Sequence, residues 1–471
     1  MGISTLGREL MLYRALRAAA TVALRWYYID VVVQGAERIP ARGPVVVASN
    51  HPNALVDALL VSTTLRRRVR LTAKATLFEN PLLAALLRTV GVVPLRRAKD
   101  ELAARRDTAA SVERNTESFR QVTEALVQGS VVLVFPEGIS HDGPALAPLK
   151  TGAARMALAA ANAGAPGIRL LPLGLVFERK ERLRSRVLVR VSEPIDVDAW
   201  RSRTGSDDAN RLTADLDAAL RHVTLNFASE ARAQRAVALA AALAAIADAP
   251  PALSHSPPYA AEAELARRIE AATDVLENAP SSVTSQADEF IARLNALEVR
   301  LAARGIAMSD VRISPHLRHG ARFVVRETLI VVLALPVAFL GRVVHWLPLR
   351  LARSLAMRPL AHDPSRDQPA MRTIVLGFGF VLVWYMLQAA IVARWLGGGA
   401  AVLWIVVLLL AGQIDFLLGD RLRRGWRRAR TYLALRANPS LREASLEEIN
   451  ALLADGLALE RALIGTAATG H

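Results

Sequence analysis

The sequence predicts an α/β domain in which a sheet is flanked by helices, followed by a helical region and a transmembrane hairpin near the carboxyl terminus. Three observations carry that prediction. Short apolar and β-branched runs, among them Pro44–Ala48, Val131–Val134 and Leu171–Leu175, alternate with helical stretches up to about residue 200. Two of those runs lead into polar sequence that can do chemistry, Ser49-Asn50-His51-Pro52-Asn53-Ala54-Leu55-Val56-Asp57 and Phe135-Pro136-Glu137-Gly138, and in open α/β sheets ligands sit at the carboxyl ends of strands. Finally, Thr373 to Ala393 holds no charged residue, which meets the requirement of roughly 20 apolar residues for a membrane-spanning helix.

Composition narrows the class. At 471 residues and 52% hydrophobic content, the chain has room for one large domain or two smaller ones plus membrane segments. It contains no cysteine, which excludes disulfides, thiolate catalysis and cysteine-ligated zinc. Lys and Arg number 59 against 43 Asp and Glu, an excess that attracts anionic partners. Almost all of it is Arg, because Lys74, Lys99, Lys150 and Lys180 are the only lysines. The charges are spread through helices and membrane flanks with no aromatic stacking platform. Membrane phospholipid is therefore the expected anionic partner, and no nucleic-acid binding is expected.

Taken in order, residues 1–28 read as an interfacial amphipathic helix. At about 100° per residue, Arg14, Arg17 and Arg25 share one side, which leaves Leu, Val and Trp26 to Tyr28 to lie against lipid. The arginines interrupt any signal-peptide core. Strands are expected at Tyr28–Gln34, Pro44–Ser49 and Val69–Ala73, with a helix after His51 and another from Leu82 to Val90. A charged helix follows from Lys99 to Gln128, and Pro136 ends the strand that begins at Val131. An Ala-rich helix starts at Lys150, strands run Leu171–Phe177 and Arg186–Val191, and Ser192-Glu193-Pro194 ends the sheet region. The catalytic domain is expected at 29–200, an Ala-rich helical subdomain at 201–310, a membrane region at 311–430 and a helical tail at 431–471.

Within the membrane region, spans are expected at 373–393 and 400–418, joined by Gly397-Gly398-Gly399. The stretch 328–349 is expected to re-enter, because its apolar run ends at Gly341 and contains Pro336. Asp415 reads as an interfacial acid paired with an Arg. Arginines flank these segments on one side, so the positive-inside rule places both termini and the catalytic domain in the cytoplasm, with a bacterial inner membrane as the host.

The chemistry starts at His51. An alcohol is a weak nucleophile at neutral pH, so its transfer needs a positioned base, and a neutral imidazole is the common choice. Asp57 is spaced to fold back, accept the Nδ1 proton and leave Nε2 free to take a hydroxyl proton. Arg96 and Arg97 close the apolar segment Gly91-Val92-Val93-Pro94-Leu95, and guanidinium pairs naturally with a phosphate monoester. Lys74, at a strand end, and Lys150, at a helix start, are further sources of positive charge for an anion. Glu137 can either cap the next helix or reach substrate. Ser140, His141 and Asp142 point in different directions as neighbours in a loop, and are read as loop-forming.

Together the His51 and Glu137 segments resemble the glycerolipid acyltransferase family. Gly91 to Arg97 looks like its second block and Leu171-Pro172-Leu173-Gly174-Leu175 like its fourth. Five residues separate His51 from Asp57 where the family usually has four, and the third block runs Ile139-Ser140-His141-Asp142, then Pro148-Leu149-Lys150. Those departures match the fungal-type glycerol-3-phosphate/dihydroxyacetone-phosphate acyltransferases, and the similarity covers roughly residues 30–240. The resemblance implies a mixed sheet, catalysis by His51 and Asp57, and substrate contacts from Arg96, Arg97, Glu137, Gly138, Lys74 and Lys150. It also implies acyl-CoA or acyl carrier protein as co-substrate and a glycerol phosphate acceptor, with no further cofactor and no metal. The expected reaction is acylation of the sn-1 hydroxyl of glycerol 3-phosphate in phospholipid synthesis. Alternatives are a 1-acylglycerol-3-phosphate acceptor, or an inert fold serving as a membrane lipid-binding protein.

Overall fold

The computed structural model describes residues 3–79, 81, 84, 87, 88, 91–95, 108–247, 259–313, 317–358 and 368–469. The described chain forms two compact units, one of residues 1–226 and 356–375, the other of 227–355 and 376–471.

The first unit is built on eight strands, β1 (Asp30–Gln34), β2 (Val45–Ser49), β3 (Val69–Lys74), β4 (Val93–Leu95), β5 (Val131–Val134), β6 (Arg169–Phe177), β7 (Arg186–Val191) and β8 (Ile195–Asp196). Their order is β1-β7-β6-β2-β5-β3-β4, with β8 on β6. All pairings are parallel except β6 with β7 and with β8, which run antiparallel. The sheet is therefore mixed. Pro194 does not end it, as expected from sequence, because Ile195 and Asp196 return to pair with Leu170 and Arg169.

Alternation along the central strands sends side chains to two buried faces, so the strands read as unbroken apolar runs. Val46, Ala48, Val132, Val134 and Leu170 belong to one core cluster, and Val45, Val47, Val131, Leu133 and Leu171 to the other. Helices α1 (Ile3–Tyr27) and α2 (Ala54–Thr64) contribute to the second cluster. Helices α3 (Thr108–Val127), α4 (Gly152–Asn162), α5 (Val197–Thr204) and α6 (Ala209–Val223) contribute to the first. The sequence-based boundary at residue 200 is thus corrected: Leu212, Leu216, Leu220 and Val223 of α6 are core residues of the sheet domain. Their spacing gives one apolar stripe, and an Ala-rich composition hid it. The interfacial reading of α1 meets a partly packed helix. Leu24 and Tyr27 are buried, Arg17 donates to the carbonyls of Thr63 and Arg66, and Leu10, Met11, Leu16 and Val22 stay exposed.

The second unit contains α7 (Glu230–Ala247), α8 (Tyr259–Leu276), α9 (Ser281–Ala302), most of α10 (Leu317–Ala356) and of α11 (Gln368–Leu396), then α12 (Gly398–Ala437) and α13 (Pro439–Thr469). Phe290, Leu294 and Leu297 of α9 share a core with Leu435, Ile449 and Leu452. Among the described residues, α10, α11 and α12 are long and apolar enough to cross a membrane. Residues 328–349, expected to re-enter, belong to one helix of 40 residues with Pro336 and Pro348 inside it. Arg342 was read as the end of the apolar run, yet its guanidinium is neutralised by Asp415 of α12 at 2.9 Å, and the helix continues past it.

Gly174 of β6 shows how tightly the first unit is packed. A Cβ there would lie 2.1 Å from the carbonyl oxygen of Val223. Gly174→Ala is expected to lower stability by about 1–3 kcal/mol, the cost typical of overpacking, read as a fall in the thermal midpoint of the detergent-solubilised protein.

Candidate active site

The parallel register sets Ala48 of β2 against Val134 of β5. His51 and Glu137 each stand three residues beyond that pair, so two loops leave the sheet side by side at its carboxyl edge. A turn and the left-handed backbone of Gly138, φ 71°, carry the second loop back across the first.

His51 is held from four directions. Its Nδ1 lies 2.9 Å from Oδ2 of Asp57. Its ring stacks on Phe135 with centroids 3.8 Å apart and planes 12° from parallel. Its backbone N–H donates to Oε1 of Glu137 at 2.8 Å, and its carbonyl accepts the N–H of His141 at 3.4 Å. With Nδ1–H given to Asp57, the neutral ring presents Nε2 as an acceptor.

Asp57 sits in the first turn of α2, where the helix dipole favours a negative charge. Its Oδ2 also accepts the backbone N–H of Asn53 at 2.7 Å. Burial nonetheless raises the Asp57 carboxyl above the ordinary carboxylate range, with the hydrogen bond and charge of His51 working against that rise. At the helix start Ala54 takes φ 46°. Such a left-handed turn costs a non-glycine residue roughly 1–2 kcal/mol.

Glu137 is a brace. Its side chain is 1% exposed, and Oε2 accepts the N–H of Ala147 at 2.8 Å together with Nε2–H of His141. Both oxygens accept from protein donors, so Glu137 braces the two loops against each other. His141 Nδ1 accepts the N–H of Gly143 at 3.0 Å, which fixes its tautomer. The Lys150 side chain crosses Gly138 so closely that a Cβ on the glycine would lie 2.6 Å from Nζ.

Of the residues singled out from sequence, the structure brings His51, Asp57, Glu137, Gly138 and Lys150 into this pair of loops. Arg96, Arg97 and the side chain of Lys74 lie outside the described residues. Four supporting residues were not foreseen. Asn50 takes both backbone groups of Leu175, at 2.9 and 2.7 Å, and so ties the His51 loop to β6. Asn53 donates from Nδ2 to the Tyr28 hydroxyl at 2.9 Å, and burial pushes that phenol well above its usual range. Lys180 donates to the carbonyl of Pro52 at 2.7 Å and pairs with Asp142. Asn50 and Asn53 flank His51 and carried a legible signal; Tyr28 and Lys180 are 23 and 129 positions away and carried none.

Asp57→Asn separates stability from chemistry. Because the folded-state pKa of Asp57 is raised, the native state binds more protons than the unfolded chain, and stability is lost as pH rises above the unfolded value of about 3.9. The Asn variant is expected to unfold at neutral pH no more easily than the parent, with the two curves converging in acid. Thermal unfolding across pH checks this.

Comparison with known proteins agrees with the geometry. Residues 30–176 match the Acyltransferase family model. An uncharacterized acyltransferase of Schizosaccharomyces pombe is 24% identical over 256 residues, 38% of each chain. Glycerol-3-phosphate O-acyltransferase 2 of Saccharomyces cerevisiae is 42% identical over 85 residues, 18% of this chain and 11% of that one. A 1-acyl-sn-glycerol-3-phosphate acyltransferase of Borreliella burgdorferi is 28% identical over 143 residues, 30% of this chain and 52% of that one. The chain thus spans no more than about half the length of these relatives. Among solved structures, an acyltransferase of Thermotoga maritima, PlsC, overlaps 47% of this chain and 86% of that one at 21% identity and a TM-score of 0.36. Over residues 30–176 the chain is similar to the Acyltransferase family.

Proposed function

We propose that the protein transfers a fatty acyl group from a thioester, acyl-CoA or acyl carrier protein, to the sn-1 hydroxyl of glycerol 3-phosphate at a membrane surface. The observation that carries this reading is the 2.9 Å contact from His51 Nδ1 to Asp57, which leaves Nε2 as the base. Nε2 takes the hydroxyl proton as the oxygen bonds to the thioester carbonyl carbon. The tetrahedral intermediate then collapses, the carbon–sulfur bond breaks, and the thiolate recovers the proton from Nε2–H. Asp57 keeps the ring oriented and stabilises the imidazolium while it exists.

Arg96 or Arg97 holds the acceptor phosphate in this scheme, with Lys74 and Lys150 adding positive potential. Glu137 contributes by fixing the His51 backbone. The acceptor assignment is supported by 42% identity to a protein named for glycerol 3-phosphate. The match to a protein named for 1-acylglycerol 3-phosphate supports that acceptor as the second reading. Arginines at the membrane flanks favour a cytoplasmic catalytic domain on a bacterial inner membrane.

Thiol release by the purified protein, measured with each donor against glycerol 3-phosphate and 1-acylglycerol 3-phosphate in competition, decides between acceptors. His51→Ala is expected to abolish turnover, and Asp57→Asn to reduce kcat by about 10²–10⁴-fold, the range usual for loss of a positioned base or its orienting group. Undiminished turnover in His51→Ala would overturn the mechanism. No thiol release from the parent chain with either acceptor would favour a lipid-binding role instead.

A further inference from the structure

Among the described residues, two that are not glycine take a left-handed backbone, Ala54 at φ 46° and Arg184 at φ 65°. Left-handed residues that carry a Cβ persist only where their surroundings hold them, and they gather at functional sites. Ala54 follows Asn53 in the His51 loop, and Arg184 lies in the turn between β6 and β7. One line of contacts joins the two, through side chains to which the acyl-transfer scheme gives no task.

The line starts at the end of α1. The last carbonyls of a helix have no partner within it, and a cation placed there satisfies them. The Arg184 guanidinium donates to the carbonyls of Arg25, Trp26 and Tyr28 at 2.9, 3.2 and 3.4 Å, and its backbone N–H donates to the carbonyl of Tyr27 at 2.6 Å. Ile29 then gives its N–H to the carbonyl of Ser185 at 3.0 Å. Tyr28 is thereby held in place, 1% exposed, with its ring centre 4.8 Å from that of Tyr27 and 5.9 Å from that of Phe177. Further back along α1, Arg17 donates to the carbonyls of Thr63 and Arg66 at the far end of α2. Eleven positions separate Arg17 from Tyr28 and ten separate Asn53 from Thr63, so at 1.5 Å per residue α1 grips both ends of α2 over about 15–17 Å.

Asn53 receives that placement and passes it on. An Asn at the N-cap of a helix commonly turns its side-chain oxygen onto the first backbone N–H groups. Asn53 stands at the N-cap of α2 and makes no such bond. Its Nδ2 donates instead to the Tyr28 hydroxyl at 2.9 Å, and its Oδ1 has no partner among the described residues. A fully buried amide that forgoes its capping bond and leaves one atom unpaired is a costly arrangement. What it holds is the backbone. The Asn53 N–H donates at 2.7 Å to Oδ2 of Asp57, the same oxygen that meets His51 Nδ1 at 2.9 Å. Any shift of Asn53 therefore moves the oxygen that orients the ring.

The structure assigns Tyr28 and Arg184 as positioning residues for His51. Arg184 fixes the end of α1, the Tyr28 hydroxyl anchors Asn53, and the Asn53 N–H sets the Asp57 oxygen. The assignment rests on the acyl-transfer reading for its consequence, a ring aimed at the acceptor hydroxyl. Both residues act through Asn53, so their loss lowers kcat more than it changes KM.

Tyr28→Phe keeps the ring and removes only the anchoring oxygen, while Asn53→Ala keeps the backbone N–H and removes the other end of the bond. In the full-length protein both are expected to lower kcat by about 10–100-fold with KM within about twofold, the scale of a small misplacement at a reacting centre. Arg184→Met is expected to lower kcat in the same way, and Arg184→Lys, which restores a cation, to recover part of the loss. Nitrogen-15 NMR of the His51 ring reads the change without turnover, from one Nδ1–H form in the parent to a mixture of tautomers in Tyr28→Phe and Asn53→Ala. Arg67→Gln removes bonds to the carbonyls of Pro40 and Gly129 elsewhere in the same unit, and as the control for lost stability alone it is expected to leave kcat and the ring unchanged. An unchanged ring in both Tyr28→Phe and Asn53→Ala would overturn the assignment, as would an equal effect from Arg67→Gln. If the parent shows no turnover, the acyl-transfer reading fails by itself, and the ring still decides whether Tyr28 positions His51.

Discussion

The parallel pairing of Val45–Ala48 with Val131–Val134 is the constraint on which the site depends. It forces two loops to emerge together, and the Glu137 carboxylate then binds one to the other through the His51 N–H. A carboxylate with both oxygens occupied by protein donors in a buried position is costly to disturb, because each lost partner leaves a desolvated group behind. The His51 backbone is thereby fixed to the neighbouring loop. Preorganisation of this kind is what a base needs if its ring is to meet a hydroxyl in one orientation.

Asp57 illustrates the exchange of stability for function. It is fully buried, one of its oxygens lacks a hydrogen-bond partner among the described residues, and burial opposes its ionised form. The first turn of α2, the Asn53 N–H and the His51 ring together hold it in place. Perturbed carboxyls of this kind concentrate where chemistry is done. The left-handed Ala54 adds a second local cost at the same point.

Much of this was legible in the sequence, for identifiable reasons. Strand runs such as Val45–Ser49 and Val131–Val134 are continuous and β-branched, and their ends carry polar motifs that can do chemistry. His51 and Asp57 are six positions apart, so a short loop entering the first turn of α2 brings them together. The role of Glu137 was not legible, because its partners, His51 and Ala147, come from two loops whose proximity is set by strand order. The extent of α10 was misread for a related reason: Arg342 looks like a terminator until its partner Asp415, 73 positions on, is in view. The α6 stripe failed differently, since Leu212, Leu216 and Leu220 sit in an Ala-rich background that resembles the peripheral helices around it.

At the centre stands one tautomer: a proton on Nδ1 of His51, shared with Asp57, and a bare Nε2. Nitrogen-15 NMR of histidine-labelled protein, with the His51 signal assigned by its loss in His51→Gln, measures this directly at a pH where the ring is neutral. A protonated Nδ1 and an unprotonated Nε2 are expected, with the Nδ1 proton shifted downfield by its bond to the carboxylate. A ring protonated on Nε2 instead, or one exchanging freely between the two forms, would contradict the assignment of His51 as a base oriented by Asp57.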